Sequence, residues 1–184
     1  MPSVQQRPPP FVGPAAPQDR VAFAHPFCFP AEALRRLGVA PGPVAGDHGF
    51  GVAAYRARGG AVLVEVGWGN VCYHGAAALS AGTVAAAVFA AGSDAGFIHC
   101  ADGRVIAAFD LHACRTRRGE GPDRLQAHQR ELGMETSYED PGWAGAPTAA
   151  ALALAGRATG VHLSRARYAA DALFGPTEHL APYA

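Results

Sequence analysis

Each cysteine of this chain has a histidine nearby in sequence. The four pairs are His25 with Cys28, Cys72 with His74, His99 with Cys100, and His112 with Cys114. Asp110, His112 and Cys114 also alternate, so a strand continuing through them would place the three side chains on one face. A carboxylate that orients a histidine, which in turn activates a thiol, is the arrangement of a nucleophilic triad. We therefore take Asp110, His112 and Cys114 as candidate catalytic residues, with His99 as a candidate acid or base near neutral pH.

Two considerations argue against this triad. Side chains at positions i and i+2 diverge, and triads usually assemble from separate segments, so Cys72 or Cys100 beside His112 would give better geometry. A cysteine is also more often a small buried hydrophobic residue than a nucleophile, and a histidine is more often a solvated or hydrogen-bonded side chain. The thiols therefore have two open interpretations, catalysis and packing.

The same pairs suggest zinc as a further alternative. Cys72 with His74, and His112 with Cys114, have the i, i+2 spacing that presents two ligands on one side of a strand. Four such ligands suit tetrahedral Zn²⁺, although the spacing is not that of a known zinc finger or knuckle. We therefore predict no metal and no cofactor, and metal analysis of the purified protein decides whether these four residues bind zinc.

Two loops carry side chains suited to a ligand. Trp68 lies in the glycine-rich segment 67–70, close to Tyr73, and such a loop can hold an aromatic ring against a ligand or partner. Arg115, Arg117 and Arg118 follow the second predicted hairpin and suit bidentate contacts with an anion. The alternatives are a ring that plugs the sheet edge and a solvated arginine loop. The chain has no motif typical of nucleotide binding or of the common hydrolases.

Composition limits the class of protein. The 184 residues suit one domain, and 15 arginines balance 15 acidic residues, so no overall charge attracts nucleic acid or an anionic membrane. The N-terminal segment lacks the apolar core of a secretory signal, and segment 75–92 is too weakly apolar for a membrane span. We therefore expect a cytoplasmic protein with reduced thiols and no nucleic-acid or membrane partner. The sequence leaves the oligomeric state open.

Turn residues divide the centre of the chain into strands. Gly59-Gly60 and Asp102-Gly103 each have the form of a two-residue hairpin turn, and Asp-Gly is typical of type I′. Pro26 suits an edge strand, because its missing N–H then faces outward. Leu63 faces away from its valine neighbours, which suggests a strand covered on both sides. The predicted strands are 21–29, 51–58, 61–67, 83–91, 97–101 and 104–111.

Helices mostly follow the strands. Proline or serine begins each predicted helix, and glycine ends several of them. The ranges are 30–37, 122–132, 147–158 and 164–174. This order predicts an α+β fold, with an antiparallel meander sheet of about five to six strands and helices packed mainly on one face. We expect residues 1–19 to form a disordered proline-rich arm, residues 20–175 a single domain and residues 176–184 a tail.

Several short motifs occur in an order that resembles a known family. They are residues 32–38, with the pattern Glu-x-Leu-Arg-Arg-Leu-Gly, and residues 62–68, 79–83, 101–110, 122–125, 151–155 and 159–163. Together they resemble the small actinobacterial family DUF6461, a domain of unknown function, over residues 20–175. The resemblance implies a compact fold and no particular activity. The Cys72, His74, His112 and Cys114 pairs depart from the family pattern, so a function shared by the family would not depend on these thiols.

Two functional hypotheses follow. The first is a non-catalytic binding module that holds a small molecule or a protein partner with the sheet and the Trp68 loop. The alternative is a small cofactor-independent enzyme of bacterial specialised metabolism, a cyclase, isomerase or hydrolase. It would use histidine, cysteine and aspartate groups for proton transfer or nucleophilic attack. A pocket in which His112 meets Asp110 or a thiol would favour the enzyme.

Overall fold

An eight-stranded antiparallel sheet forms the centre of the computed structural model. The structure describes residues 20–24, 29–42, 50–66, 71–91, 94–134, 147–162, 164 and 172–177. Within them the strands are β1 (Arg20–Ala24), β2 (Gly51–Ala57), β3 (Gly60–Val66), β4 (Val84–Ala91), β5 (Asp94–Ala101), β6 (Arg104–Asp110), β7 (Arg117–Arg118) and β8 (Leu173–Pro176). The helices are α1 (Pro30–Arg36), α2 (Val71–His74), α3 (Ala76–Leu79), α4 (Gln126–Glu131) and α5 (Pro147–Thr159). The α+β class with an antiparallel sheet is thus confirmed.

The first strand lies in the middle of the sheet, whose order is β7-β6-β5-β4-β1-β3-β2-β8. Ala22 of β1 is opposite both Leu63 of β3 and Ala87 of β4. The prediction of an edge strand over residues 21–29 is therefore wrong, because β1 ends at Ala24 and contains no proline that would remove a donor. The sheet has more than the expected strands because the short β7 and β8 extend its two edges.

Helices cover both faces of the sheet. The face that carries Leu63 and Ala87 packs against α1, α2 and α3, and the face that carries Val62 and Val88 packs against α5 and the residues around α4. This differs from the expectation that helices cover mainly one face. The physical reason is that the central strands are apolar at successive positions, so both of their sides must be buried.

The hairpin between β5 and β6 turns as predicted. Asp102 and Gly103 have φ angles of 50° and 77°, and Ala101 pairs with Arg104 across the turn. These two positive φ angles are the requirement of a type I′ turn. The turn is also tied to the end of α3, because the Gly103 N–H donates to the hydroxyl oxygen of Ser80 at 2.9 Å.

The hairpin between β2 and β3 turns one residue earlier than the glycine pair suggests. Ala57 pairs with Gly60, so Arg58 and Gly59 form the turn. Gly59 has a φ angle of 86°, and a Cβ at this position would lie 2.5 Å from the carbonyl oxygen of Gly160. The close approach arises because Arg58 forms an isolated bridge with His162, after the end of α5.

The predicted helix over residues 164–174 does not reach its expected end. Leu173 and Phe174 belong to β8 and pair with Ala54 and Ala53 of β2. The absence of a side chain at Gly175 allows this strand to approach α1, because a Cβ there would lie 2.2 Å from Cγ1 of Val39. Residues 165–171 lie outside the described residues.

The other predicted helices are present with shifted ends. α1 and α5 differ from their predicted ranges by one residue, whereas α4 begins at Gln126, several residues later than expected, because residues 122–125 form turns. Gly38 and Gly133 follow α1 and α4 with positive φ angles, as helix-ending glycines do. Among the described residues, no helix is long and apolar enough to cross a membrane. The predicted arm, single domain and tail remain predictions.

Replacing Gly103 by alanine isolates the conformational cost of the type I′ turn. A Cβ at Gly103 meets no atom within 4 Å, so any loss of stability in the alanine variant comes from the positive φ angle alone. We expect Gly103→Ala to lower the free energy of unfolding by about 1 kcal/mol in urea titrations. Gly121→Ala is the control, because its Cβ makes only an ordinary contact with Ile106 at 3.6 Å. Equal effects of the two substitutions would contradict the assignment of the turn.

Candidate functional site

A row of paired residues crosses one end of the sheet. Glu65 of β3 pairs with Arg20 of β1, Arg20 with Phe89 of β4, Phe89 with Gly96 of β5, and Gly96 with Asp110 of β6. Residues directly opposite in antiparallel strands share a face of the sheet. Glu65, Phe89 and Asp110 of this row lie on the face covered by α1, α2 and α3, because Leu63, two residues before Glu65, packs there.

Glu65 connects this row to α2. Its side chain is almost fully buried, and its two carboxylate oxygens accept hydrogen bonds from the backbone N–H groups of Val71, at 3.2 Å, and Cys72, at 3.1 Å. N–H groups at the start of a helix have no partner within the helix itself. The buried carboxylate therefore supplies the missing acceptors and fixes the start of α2 on the sheet.

Tyr73 follows directly and packs across β4 and β5. Its ring meets the ring of Phe89 edge to face, with centroids 4.7 Å apart. Gly96 makes room for both rings, because a Cβ there would lie 2.4 Å from Cε1 of Phe89 and 3.2 Å from the Tyr73 hydroxyl oxygen. Burial raises the pKa of Tyr73, Arg118 opposes this rise, and Cys100 and Asp110 add to it. The phenol therefore remains a neutral hydrogen-bonding group at physiological pH.

Two charges of opposite sign lie beside the aromatic pair. Asp110 at the end of β6 and Arg118 in β7 are both exposed. Arg118 pairs with Ala108, two residues before Asp110, so both side chains belong to the face that carries Tyr73. Each of the two side chains also acts on the pKa of Tyr73. We call Tyr73, Phe89, Gly96, Asp110 and Arg118 the Tyr73 cluster.

The predicted triad of Asp110, His112 and Cys114 does not form. β6 ends at Asp110, whose Oδ1 accepts the backbone N–H of His112 at 2.6 Å, and the chain turns there instead of continuing as a strand. The His112 side chain is exposed, whereas Cys114 is fully buried and its Sγ donates to the carbonyl oxygen of Leu111 at 3.2 Å. The aspartate side chain thus ends the alternation on which the prediction depended.

The described thiols lie in apolar packing. Cys72 and Cys100 belong to the core beneath α1, α2 and α3, and Cys114 belongs to the core on the opposite face. Burial raises the pKa of Cys100 and that of Cys114 to about 11. A thiol that stays protonated is a poor nucleophile, so the structure supports the packing interpretation for these two residues.

The zinc alternative depended on strands that the structure does not contain. Cys72 and His74 lie in α2, where residues two apart point in different directions, and His112 and Cys114 lie in turns. Across the described ranges, no group of three or more histidine, cysteine, aspartate or glutamate side chains is arranged to hold a metal ion. His25 and Cys28 lie outside these ranges.

The predicted ligand-binding residues have separate places. Tyr73 is in the cluster, whereas Trp68 lies outside the described residues, in the segment that links β3 to α2. Arg117 is largely buried, with Nη2 2.8 Å from Oδ1 of Asp123 and Nη1 donating to the carbonyl oxygen of Cys114, so it holds its own loop together. Arg115 is half-buried in the same loop.

His99 lies apart from the Tyr73 cluster, on the other face of the sheet. It shares that face with Phe97, two residues earlier in β5, and is almost fully buried. Burial lowers its pKa to about 4, and the positive charge of Arg124 contributes to the same shift. Its imidazole is therefore neutral at pH 7. Cys100, the next residue in sequence, faces the opposite core.

Glu65 and Phe89 were not among the predicted site residues, and Arg118 was predicted only as part of the arginine loop. A signal for Glu65 was present, because it alternates with Leu63 along β3 and so had to share a covered face. Gly96 was a second signal, since a glycine inside a strand often marks a close approach of other groups. The pairing of Phe89 with Gly96 is a long-range contact that no local pattern indicates.

Replacing Glu65 by glutamine tests whether its carboxylate fixes the start of α2 on the sheet. The amide has one acceptor oxygen where the carboxylate has two, so one N–H of Val71 or Cys72 loses its partner in a buried place. We expect Glu65→Gln to lower the free energy of unfolding by about 2 kcal/mol. Glu120→Gln is the matched control, because the Glu120 side chain is exposed and, among the described residues, forms an ion pair with Arg104 alone. Its effect should stay below about 0.5 kcal/mol. An effect of Glu65→Gln no larger than the control would refute this role.

The pKa of His99 predicts how stability depends on pH. In the folded chain His99 has a pKa of about 4, below its ordinary value of 6.5. The contribution of its neutral imidazole to the free energy of unfolding is therefore complete above pH 6.5 and is lost as the pH falls toward 4. Between pH 7 and 4 the native chain should lose roughly 2 kcal/mol more than His99→Gln, measured by urea unfolding. His112→Gln removes an exposed histidine and should follow the native chain. If the free energy of unfolding depends on pH in the same way in all three proteins, then His99 is not buried as described.

Comparison with known proteins gives one match. The family model described as "Family of unknown function (DUF6461)" matches residues 29–175, a range that includes Glu65 and every residue of the Tyr73 cluster. No curated protein and no solved structure is significantly similar to the chain. Because the family model covers most of its length, the chain belongs to the family DUF6461, as its sequence motifs suggested.

Proposed function

We propose that this protein is a non-catalytic binding module that holds a small molecule at the Tyr73 cluster. The observation that carries the proposal is the half-buried Tyr73 and Phe89 pair, seated on Gly96 and flanked by exposed groups of opposite charge, Asp110 and Arg118. Binding sites typically combine an apolar surface with a few polar groups that fix orientation. The cluster provides both on a support of strands and a short helix.

The chemistry of the cluster indicates the kind of ligand. Tyr73 and Phe89 offer ring edges and faces to a planar or apolar group. Arg118 is suited to bidentate contact with a carboxylate or a phosphate, and Asp110 accepts hydrogen bonds from donors. A ligand with a flat apolar part and a nearby anionic group satisfies this set. The zero formal net charge of the chain gives no comparable support for nucleic acid.

The alternative of a cofactor-independent enzyme has less support. Cys100 and Cys114 are buried and protonated, and His112 is exposed, its backbone N–H and not its ring bonded to Asp110. The Tyr73 cluster brings together a phenol, a carboxylate and a guanidinium, and the exposed ring of His74 meets the Tyr73 ring edge to face, with centroids 5.8 Å apart. Within the described residues no hydrogen bond joins the His74 ring to Tyr73, Asp110 or Arg118, so the arrangement is better suited to holding a ligand than to relaying a proton. A role in bacterial specialised metabolism belongs to this enzyme alternative, whereas a cytoplasmic location is proposed for either function.

A fragment titration followed by NMR tests the proposal. Aromatic carboxylates are added to the ¹⁵N-labelled full chain, with uncharged analogues of the same rings as matched ligands. We expect the backbone amides of Tyr73, Gly96, Asp110 and Arg118 to shift with the carboxylates. Arg118→Gln should weaken that binding at least about fivefold and leave the neutral analogues unaffected, because only the charge-assisted contact is lost.

Arg115→Gln is the control substitution, since Arg115 lies in the arginine loop outside the cluster. Shifts that spare the cluster, or that respond equally to Arg115→Gln and Arg118→Gln, would contradict the proposal. If no fragment binds but a protein captured by the chain protects the same amides, the small-molecule form of the proposal fails and the protein-partner form replaces it.

A further inference from the structure

Two fully enclosed polar side chains have no hydrogen-bond partner in the described part of the protein. His99 is 4% exposed, and Gln129 in α4 is 0% exposed. Neither imidazole nitrogen of His99 and neither polar atom of the Gln129 amide has a partner. Buried polar groups in folded proteins are nearly always paired. Four unpaired atoms on two side chains therefore call for a physical explanation.

The backbone next to His99 is irregular. Cys100 pairs with Val105 of β6, but His99 pairs with Ala107, so Ile106 is an extra residue between them. Such a β-bulge bends its strand and redirects side chains, and bulges are frequent beside functional sites. The irregularity begins at His99, whose side chain lies on the face opposite the Tyr73 cluster.

The chain that leads into α4 runs along this bulge. The N–H of Gly121 donates to the carbonyl oxygen of Ile106 at 3.0 Å, and α4 begins five residues later. Arg124 is close enough to His99 to affect its ionisation. Leu125, next to Arg124, packs in the core on the face that carries His99, and Gln129 is one helical turn further along, on the same side as Leu125. The bulge and α4 thus bring His99 and Gln129 to the same side of the sheet.

We propose that His99 and Gln129 form a buried site for a small neutral molecule that both donates and accepts hydrogen bonds. A neutral imidazole offers one donor and one acceptor, and the amide offers two donors and an acceptor oxygen, so the two side chains complement such a molecule. The positive charge of Arg124 disfavours a cation, and the apolar core around Leu125 and Phe97 disfavours a charged ligand of either sign. A water molecule and a hydroxyl or amide compound share the required chemistry.

High-resolution crystallography of the full chain, combined with native mass spectrometry, tests the site directly. We expect density for a molecule within about 3.2 Å of a polar atom of both side chains. Extra mass that is retained in the native spectrum and lost on denaturation identifies an organic ligand, and bridging density without extra mass identifies water. A direct hydrogen bond between His99 and Gln129, or dry contact without any bridging molecule, would overturn the proposal.

Apolar substitutions provide a second measurement. If the two side chains bind a molecule, His99→Phe and Gln129→Met each remove polar atoms that hydrogen-bond that molecule. The urea midpoint of unfolding should therefore fall in both variants. Gln126→Met changes another, half-buried glutamine of α4 and should leave the midpoint nearly unchanged. If the atoms are truly unpaired, apolar replacement relieves their burial, and a rise of the midpoint in both variants would refute the site.

Discussion

The buried carboxylate of Glu65 is the interaction on which the candidate site depends. It sits at the end of β3 and accepts the first two N–H groups of α2. α2 has only four residues, too few to be stable without outside contacts. Because Tyr73 lies in this helix, its ring stays on Phe89 and Gly96 only while α2 stays on the sheet. The position of the whole Tyr73 cluster therefore follows from one buried acceptor.

Small residues make this arrangement possible on a sheet whose two faces are both covered by helices. Ala85, Ala86 and Ala87 in β4 are fully buried and alternate between the two cores. Their short side chains let helices approach both faces of the same strand, and Gly96 does the same for two aromatic rings. The high alanine content thus has a packing role in the centre of the sheet, where larger side chains would hold the helices away. The two faces carry different polar features, the Tyr73 cluster on one and His99 with Gln129 on the other.

Local signals in the sequence predicted the Asp102-Gly103 turn and the positions of α1 and α5, but they missed α2 and α3, and they gave no indication of long-range pairing. Asp102-Gly103 specifies its turn through two positive φ angles, so that hairpin could be identified from two residues. The place of β1 between β3 and β4 depends on strands that are distant in the sequence. The edge-strand prediction was wrong because it was based on Pro26, which lies after the end of β1. The triad failed for a local reason, because the Asp110 side chain binds the backbone of His112 and ends the strand. The alternation of Glu65 with Leu63 indicated a covered position, but its role was overlooked because only the packing of α2 on the sheet shows which donors the carboxylate accepts.

The most direct test of the role of Glu65 is hydrogen exchange at two backbone amides. In NMR spectra of the folded full chain, the amide protons of Val71 and Cys72 should exchange slowly with solvent deuterium, because the buried carboxylate accepts a hydrogen bond from each of them. In Glu65→Gln at least one of the two amide protons should exchange about tenfold faster, because it loses its acceptor, whereas Glu120→Gln should leave both exchange rates unchanged. If both amides exchange rapidly in the native chain, or equally slowly in Glu65→Gln, then Glu65 does not hold α2 and the account of the Tyr73 cluster is wrong.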